Sequence, residues 1–357
     1  MHLTLLAFDW VLLLEKAVLI LIIISVSLVV AMYETWGERK VAAFMQDRRG
    51  PNRAGPGGIL QPLADGLKLF MKEEIIPLTS SKFLFVLGPG LAMLTAMMTS
   101  AVVPWSSHFH LWGRDISMQI ADVNIGILYI FGVVSMGVYG IMIGGWASNN
   151  KFSLLAAIRG ASQIISYELA MGLAIIALLM ISGSLSLRTI VEQQQVGRYY
   201  VLVQPLGFLI FLICAFAECN RTPFDLSEAD SELNMGFHQE YSSMKLGFYL
   251  FAEYVNVFIS SAVMATLYWG GYDIPFVNDA SLIERIGQNP VAVLQVLSLF
   301  VKIVIFIFFF MWVRWTIPRF RYDQLMKLGW HVLIPLALFN MLVTGFVVLL
   351  RQNHWHF

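Results

Sequence analysis

The chain is dominated by apolar runs long enough to cross a lipid bilayer, and this feature removes most folds from consideration. A helix needs about 20 apolar residues to span a hydrocarbon core about 30 Å thick. Eight stretches qualify, near residues 16–34, 83–104, 124–146, 159–181, 199–217, 246–269, 291–315 and 329–350. Backbone polar groups in lipid must be satisfied internally, so stretches of this kind are helices. The expected fold is an all-α polytopic membrane protein with about eight transmembrane helices, forming one membrane domain over residues 1–357. Only 13% of the residues are charged, about half the share of a soluble domain. Zero net charge gives no electrostatic footprint for nucleic acid. The two cysteines, Cys214 and Cys219, build neither a disulfide framework nor a zinc site. The first apolar run leads into further spans and no cleavage pattern precedes it, so it reads as a retained helix.

Sidedness follows from the basic residues. With eight spans, loops 35–82, 147–159, 218–245 and 314–328 share one face of the membrane. They hold sixteen of the 23 Lys and Arg, the other face holds six, and Lys302 falls inside a span. The positive-inside rule then puts the four rich loops in the cytoplasm and both termini outside.

Two of these loops carry more than charge. In the first, Arg48-Arg49-Gly50-Pro51-Asn52-Arg53 leads into Gly55-Pro56-Gly57-Gly58. No Gly-Lys-Ser/Thr follows, so this is not a phosphate-binding loop. Then Leu60, Leu63, Ala64, Leu67, Phe70 and Met71 recur at helical spacing, with Asp65, Lys68, Lys72 and Glu73 off that face. This predicts an amphipathic helix in the headgroup plane. It is either a lipid anchor or the lip of a portal for a lipid-soluble ligand. In the third rich loop Glu218, Asp225, Glu228, Asp230, Glu232 and Glu240 face only Arg221 and Lys245. A helix would align Asp225, Glu228 and Glu232 on one face. Crowded, desolvated carboxylates raise one another's pKa, which suits them to bind and release protons near neutral pH.

Charges within spans are costly and face the protein interior. Glu168 lies nine residues past Arg159 and Glu253 eight past Lys245, with Glu218 at the end of the fifth span. These acids lead from the acidic loop toward mid-membrane. They form a relay for protons or cations, or else Glu168 or Glu253 simply pairs with Lys302. His108, His110, His354 and His356 form two exposed pairs with weak metal-binding capacity, and His238 sits in the acidic loop. No nucleotide, haem or iron–sulfur motif is present, so redox centres are expected on other chains.

Several stretches together carry a family likeness. They are Glu38-Arg39-Lys40, Gly50-Pro51-Asn52-Arg53, Leu60-Gln61-Pro62-Leu63-Ala64-Asp65-Gly66-Leu67-Lys68, Gly145-Trp146-Ala147-Ser148-Asn149 and Ile165-Ser166-Tyr167-Glu168. Ala217-Glu218-Cys219-Asn220-Arg221-Thr222-Pro223-Phe224-Asp225, Glu240-Tyr241 and Pro318-Arg319-Phe320-Arg321-Tyr322-Asp323 complete them. The chain resembles, along nearly its whole length, the family of complex I membrane subunits that includes mitochondrial NADH dehydrogenase subunit 1 and its bacterial counterpart. The resemblance implies a bacterial inner-membrane subunit of a proton-pumping NADH:quinone oxidoreductase. It would dock the redox arm and wall a quinone chamber. The resemblance places Arg39, Asp65, Arg221, Phe224, Asp225 and Arg314 at the chamber and its entrance. It places Glu168, Glu218, Glu228, Asp230, Glu232 and Glu253 in a proton relay, and it favours the portal over the anchor for the amphipathic helix. Quinone is the implied substrate, and no metal is expected on this chain. FMN and iron–sulfur clusters would sit on partner subunits. Implied partners are the other membrane subunits, the quinone-site subunits of the hydrophilic arm, and lipid. Cys219 stands where the family commonly has Thr, Asp230 where Glu is common, and Ser227 where Pro or Ala is common; Glu34 is an added acid. The alternatives are a related subunit of a membrane-bound hydrogenase, a stand-alone cation transporter and a passive membrane anchor.

Overall fold

The computed structural model describes residues 10–353 apart from 112, 276 and 278. It opens with α1 (Trp10–Met45), followed by the short α2 (Gln61–Met71) and α3 (Lys82–Thr99). A hairpin of β1 (His108–Leu111) and β2 (Arg114–Ser117) pairs antiparallel, His108 opposite Ser117. Then come α4 (Gly126–Ala147), α5 (Lys151–Ser182), α6 (Leu187–Val196), α7 (Tyr200–Val203) and α8 (Pro205–Glu218). The acidic loop holds α9 (Asp230–Leu233) and precedes α10 (Ser243–Tyr268). The chain ends with α11 (Asp279–Ile286), α12 (Gln288–Thr316), α13 (Tyr322–Lys327) and α14 (Ile334–Asn353), the last two joined by a π turn. Among the described residues seven helical stretches are long and apolar enough to cross a membrane, and α8 is a shorter apolar eighth. The protein is an all-α, multi-pass membrane protein.

Local chemistry sets the helix ends. Asn150 caps α5, its side chain accepting from Phe152 N at 3.0 Å, which satisfies one of the orphan first-turn donors. Gly183 ends α5 in a left-handed conformation, its N–H donating to Leu179 O at 2.8 Å, as glycine does past a helix terminus. Small residues set the packing. A Cβ on Gly144 would lie 1.9 Å from the Tyr249 hydroxyl, and one on Gly88 2.5 Å from the same atom. Glycine is therefore required where α3, α4 and α10 meet, in the manner of membrane helices that associate through small residues. Tyr249 donates to Gly140 O at 3.0 Å, which locks the contact. On α5, Ala156, Ala157, Ala161, Ala170, Ala174 and Ala177 are buried against neighbouring helices. Large apolar side chains of α1, α12 and α14, such as Leu21, Phe308 and Leu342, point outward, as lipid-facing residues do.

Four expectations need correction. The fifth span, expected at 199–217, is two pieces: Pro205 has no N–H to continue a helix, and α8 alone is about 21 Å long, less than the hydrocarbon core. α1 and α5 run well past the expected spans, so Glu38, Arg39 and Arg159 sit on continuous helix rather than in loops. Asp225, Glu228 and Glu232 do not share one helix. The carbonyls there are spent on distant donors: Phe224 O accepts from Gln163 Nε2 at 2.6 Å and Ser227 O from Phe237 N at 3.2 Å. Lys302 pairs with neither Glu168 nor Glu253. Its Nζ donates to the carbonyls of Trp269, Gly271 and Asp273 at 2.8, 2.8 and 2.7 Å.

Candidate functional site

Glu34 and Glu38 are one turn apart on α1, which puts both on one face. Both are buried. The Tyr254 hydroxyl donates to Glu38 Oε2 at 2.7 Å, Arg314 forms an ion pair with Glu38, and Arg221 Nη1 lies 3.9 Å from it. The Arg221 guanidinium sits over the Tyr254 ring, 4.1 Å from its centroid. These five side chains line a pocket of about 250 Å³. Two of the expected chamber residues, Arg221 and Arg314, thus meet on Glu38, which the chamber set lacked. Arg39 points away from them and bonds Asp65 at 2.8 Å, tying α1 to α2. The apolar side of α2, with Leu63, Leu67, Phe70 and Met71, is exposed, as expected for an interfacial helix.

The acidic loop folds against α5, α10 and the segment before α13. Gln163 of α5 donates to Ala217 O at 2.8 Å and to Phe224 O, holding both ends of the bend. Phe224 is buried between Tyr167 and Phe320, with centroids 5.4 and 5.5 Å away. Asp225 accepts from Arg319 at 2.9 Å. Burial pushes the Asp225 carboxyl up, and the Glu228 charge adds to this. Arg319, Arg314 and Arg221 pull it back, leaving it at about 6. Glu228 lies 3.5 Å from His238 Nδ1 and within hydrogen-bonding reach of Glu253. Two carboxyls bond only when one holds a proton. Glu232 instead turns outward to Arg159 at 2.9 Å. Asp230 starts α9, and its side chain lies outside the described residues, as do His354 and His356.

Glu253 and Glu218 open onto a cavity of about 1060 Å³ between α3, α4, α5, α8 and α10. Asn220, Asn256 and Ser260 add polar lining, and the rest is mostly apolar. Glu168 bonds Ser135 across α4 and interacts with the Glu218 charge. The structure therefore connects Asp225, Glu228, Glu253, Glu218 and Glu168 in a series, and leaves Glu232 to the side. Buried polar atoms without a protein partner cluster along it, on Glu34, Asn220, Arg221, Asp225 and Glu228. Such atoms mark a site made to meet water, protons or a ligand.

Residues 17–345 match the family described as NADH dehydrogenase. The chain belongs to that family. A relative from Cytophaga hutchinsonii, an NADH-quinone oxidoreductase H subunit by name, is 62% identical over 95% of this chain and 98% of its own length. A Flavobacterium psychrophilum protein of the same name is 63% identical over 96% of this chain and 99% of its own. A Geobacter metallireducens protein, also named as an NADH-quinone oxidoreductase H subunit, is 45% identical over 93% and 96%. In this member of the NADH dehydrogenase family, sequence reasoning did not assign Glu38, Tyr254 and Arg319 to the site. The four-residue spacing of Glu34 and Glu38 was a usable signal for the first. Tyr254 and Arg319 join only through tertiary contacts.

Proposed function

We propose that this chain is the membrane subunit of an NADH:quinone oxidoreductase that walls the quinone site and passes protons from it into the membrane. The series Asp225–Glu228–Glu253, opening onto the cavity that holds Glu218, carries this reading. Reduction of a quinone to its quinol takes up two electrons and two protons, and buried carboxyls poised near neutral pH can relay such protons. The pocket at Glu38, Arg221 and Arg314 sits next to this series and supplies two guanidinium groups, which stabilise negative charge developing on a quinone oxygen. The exposed apolar face of α2, tied to α1 by Arg39 and Asp65, suits a lipid-side entrance for a quinone. Phe224 acts as a packing anchor for the loop that carries Asp225. The names of the relatives support assembly with other membrane subunits and with a hydrophilic arm that carries FMN and iron–sulfur clusters. The basic asymmetry supports a bacterial inner membrane with the acidic loop in the cytoplasm and both termini outside.

Charge coupling follows from Coulomb attraction and repulsion between close carboxyls where water is sparse. The test is Glu228→Gln in native membranes, with assembly followed on a native gel. Assembled complex should lose most NADH:quinone reductase activity together with proton uptake. Assembled complex with both retained would reduce the acidic loop to a docking surface.

A further inference from the structure

Three buried polar atoms converge at the end of α8 far from Glu218, and none has a protein partner: Gln204 Oε1, Asn340 Nδ2 and the Tyr268 hydroxyl. All three residues are more than nine-tenths buried. They come from three places, the break before α8, the last residue of α10 and the body of α14. Gly207 lies between them. A Cβ built there would be 2.9 Å from Gln204 Oε1, 3.3 Å from Asn340 Nδ2 and 3.6 Å from the Tyr268 hydroxyl. The missing side chain leaves the space they surround.

The orientation of Gln204 is fixed by its neighbours. Its Nε2 donates to Thr344 Oγ1 at 2.7 Å, while the Thr344 hydroxyl spends its only proton on Asn340 O at 2.7 Å. Thr344 can therefore only accept from Gln204, and the amide oxygen of Gln204 must face Gly207. The site then offers an acceptor, an amide and a hydroxyl, with no formal charge. A bare cation would find no carboxylate there. A water molecule typically makes about three hydrogen bonds when buried, and either orientation of the Asn340 amide gives it a partner.

We propose that Gln204, Gly207, Tyr268 and Asn340 form a binding site for one structural water that bridges α8, α10 and α14 at the broken span. The water donates to Gln204, bonds the Asn340 amide and shares a hydrogen bond with the Tyr268 hydroxyl. It is separate from the acid-lined cavity. The Tyr268 ring packs on Phe208 and Phe211 at 5.4 and 5.7 Å, and Phe211 and Leu267 form the cavity wall on that side. Its role is to hold together helices that Pro205 prevents from closing by backbone bonds alone.

The native assembly containing this chain, imaged in lipid nanodiscs at a resolution that shows ordered water, tests the site. One peak is expected at about 2.7–3.2 Å from all three polar atoms. Gly207→Ala, whose methyl fills the space, should abolish the peak, and Tyr268→Phe should weaken it. Direct bonds among Gln204, Tyr268 and Asn340 with no peak in the wild type would overturn the proposal. So would an elongated density of acyl-chain shape, or a peak unchanged in assembled Gly207→Ala. Where a variant fails to assemble, the wild-type map alone decides.

Discussion

Asp225 is raised from 3.8 to about 6, chiefly by burial, and this sets a measurable pH dependence. Below pH about 4 both folded and unfolded chains hold its proton. As pH rises from about 4 to about 6 the unfolded chain releases it first, so this group's contribution to stability falls across that window and then levels. Thermal unfolding midpoints of wild-type and Asp225→Asn complexes across this range should diverge in slope only there. Parallel profiles would mean that Asp225 titrates normally. Lys302 makes a second single-residue prediction. Its ammonium serves three carbonyls of the segment after α10. Lys302→Met leaves all three without that donor, at about 1 kcal/mol or more each. A clear drop in the unfolding midpoint of the assembled complex is expected, and an unchanged midpoint would show that the segment holds itself.

At the scale of elements, the α3–α4–α10 contact depends on missing side chains. Gly144→Ala drives its methyl into the Tyr249 hydroxyl and should reduce assembled complex on a native gel. Adding Tyr249→Phe removes the colliding atom and should restore part of the loss. Failure of that rescue would put the fault elsewhere on α4. The link between α1 and α2 is weaker. Arg39 and Asp65 are partly exposed, and an exposed pair contributes about 0–1 kcal/mol. Asp65→Asn should therefore assemble normally and raise the KM for quinone with little change in kcat, in line with a role at an entrance. An equal fall in kcat would move Asp65 from entrance to chemistry.

For the whole molecule, the crossing pattern predicts that Lys151 and Glu284 lie on opposite faces. Single cysteines at Lys151→Cys and Glu284→Cys should react with an impermeant thiol reagent from opposite sides of sealed membranes. Reaction from the same side would break the eight-crossing topology. Spans, amphipathic helix and the acids that matter were legible in the sequence, because hydropathy and charge act locally and a bilayer magnifies both. The amphipathic helix came out at Gln61–Met71, close to its apolar pattern. The break at Gln204–Pro205 was masked by the apolar residues around it, which satisfy hydropathy whether or not the helix is continuous. The sequence by itself determined that the protein spans a membrane many times and hides carboxyls inside it. Only the tertiary structure decided which charges meet: Lys302 with carbonyls, Glu38 with two arginines, Glu228 with Glu253. Partner choice between buried groups depends on distances of a few ångströms between residues far apart in the chain, and no local pattern encodes those.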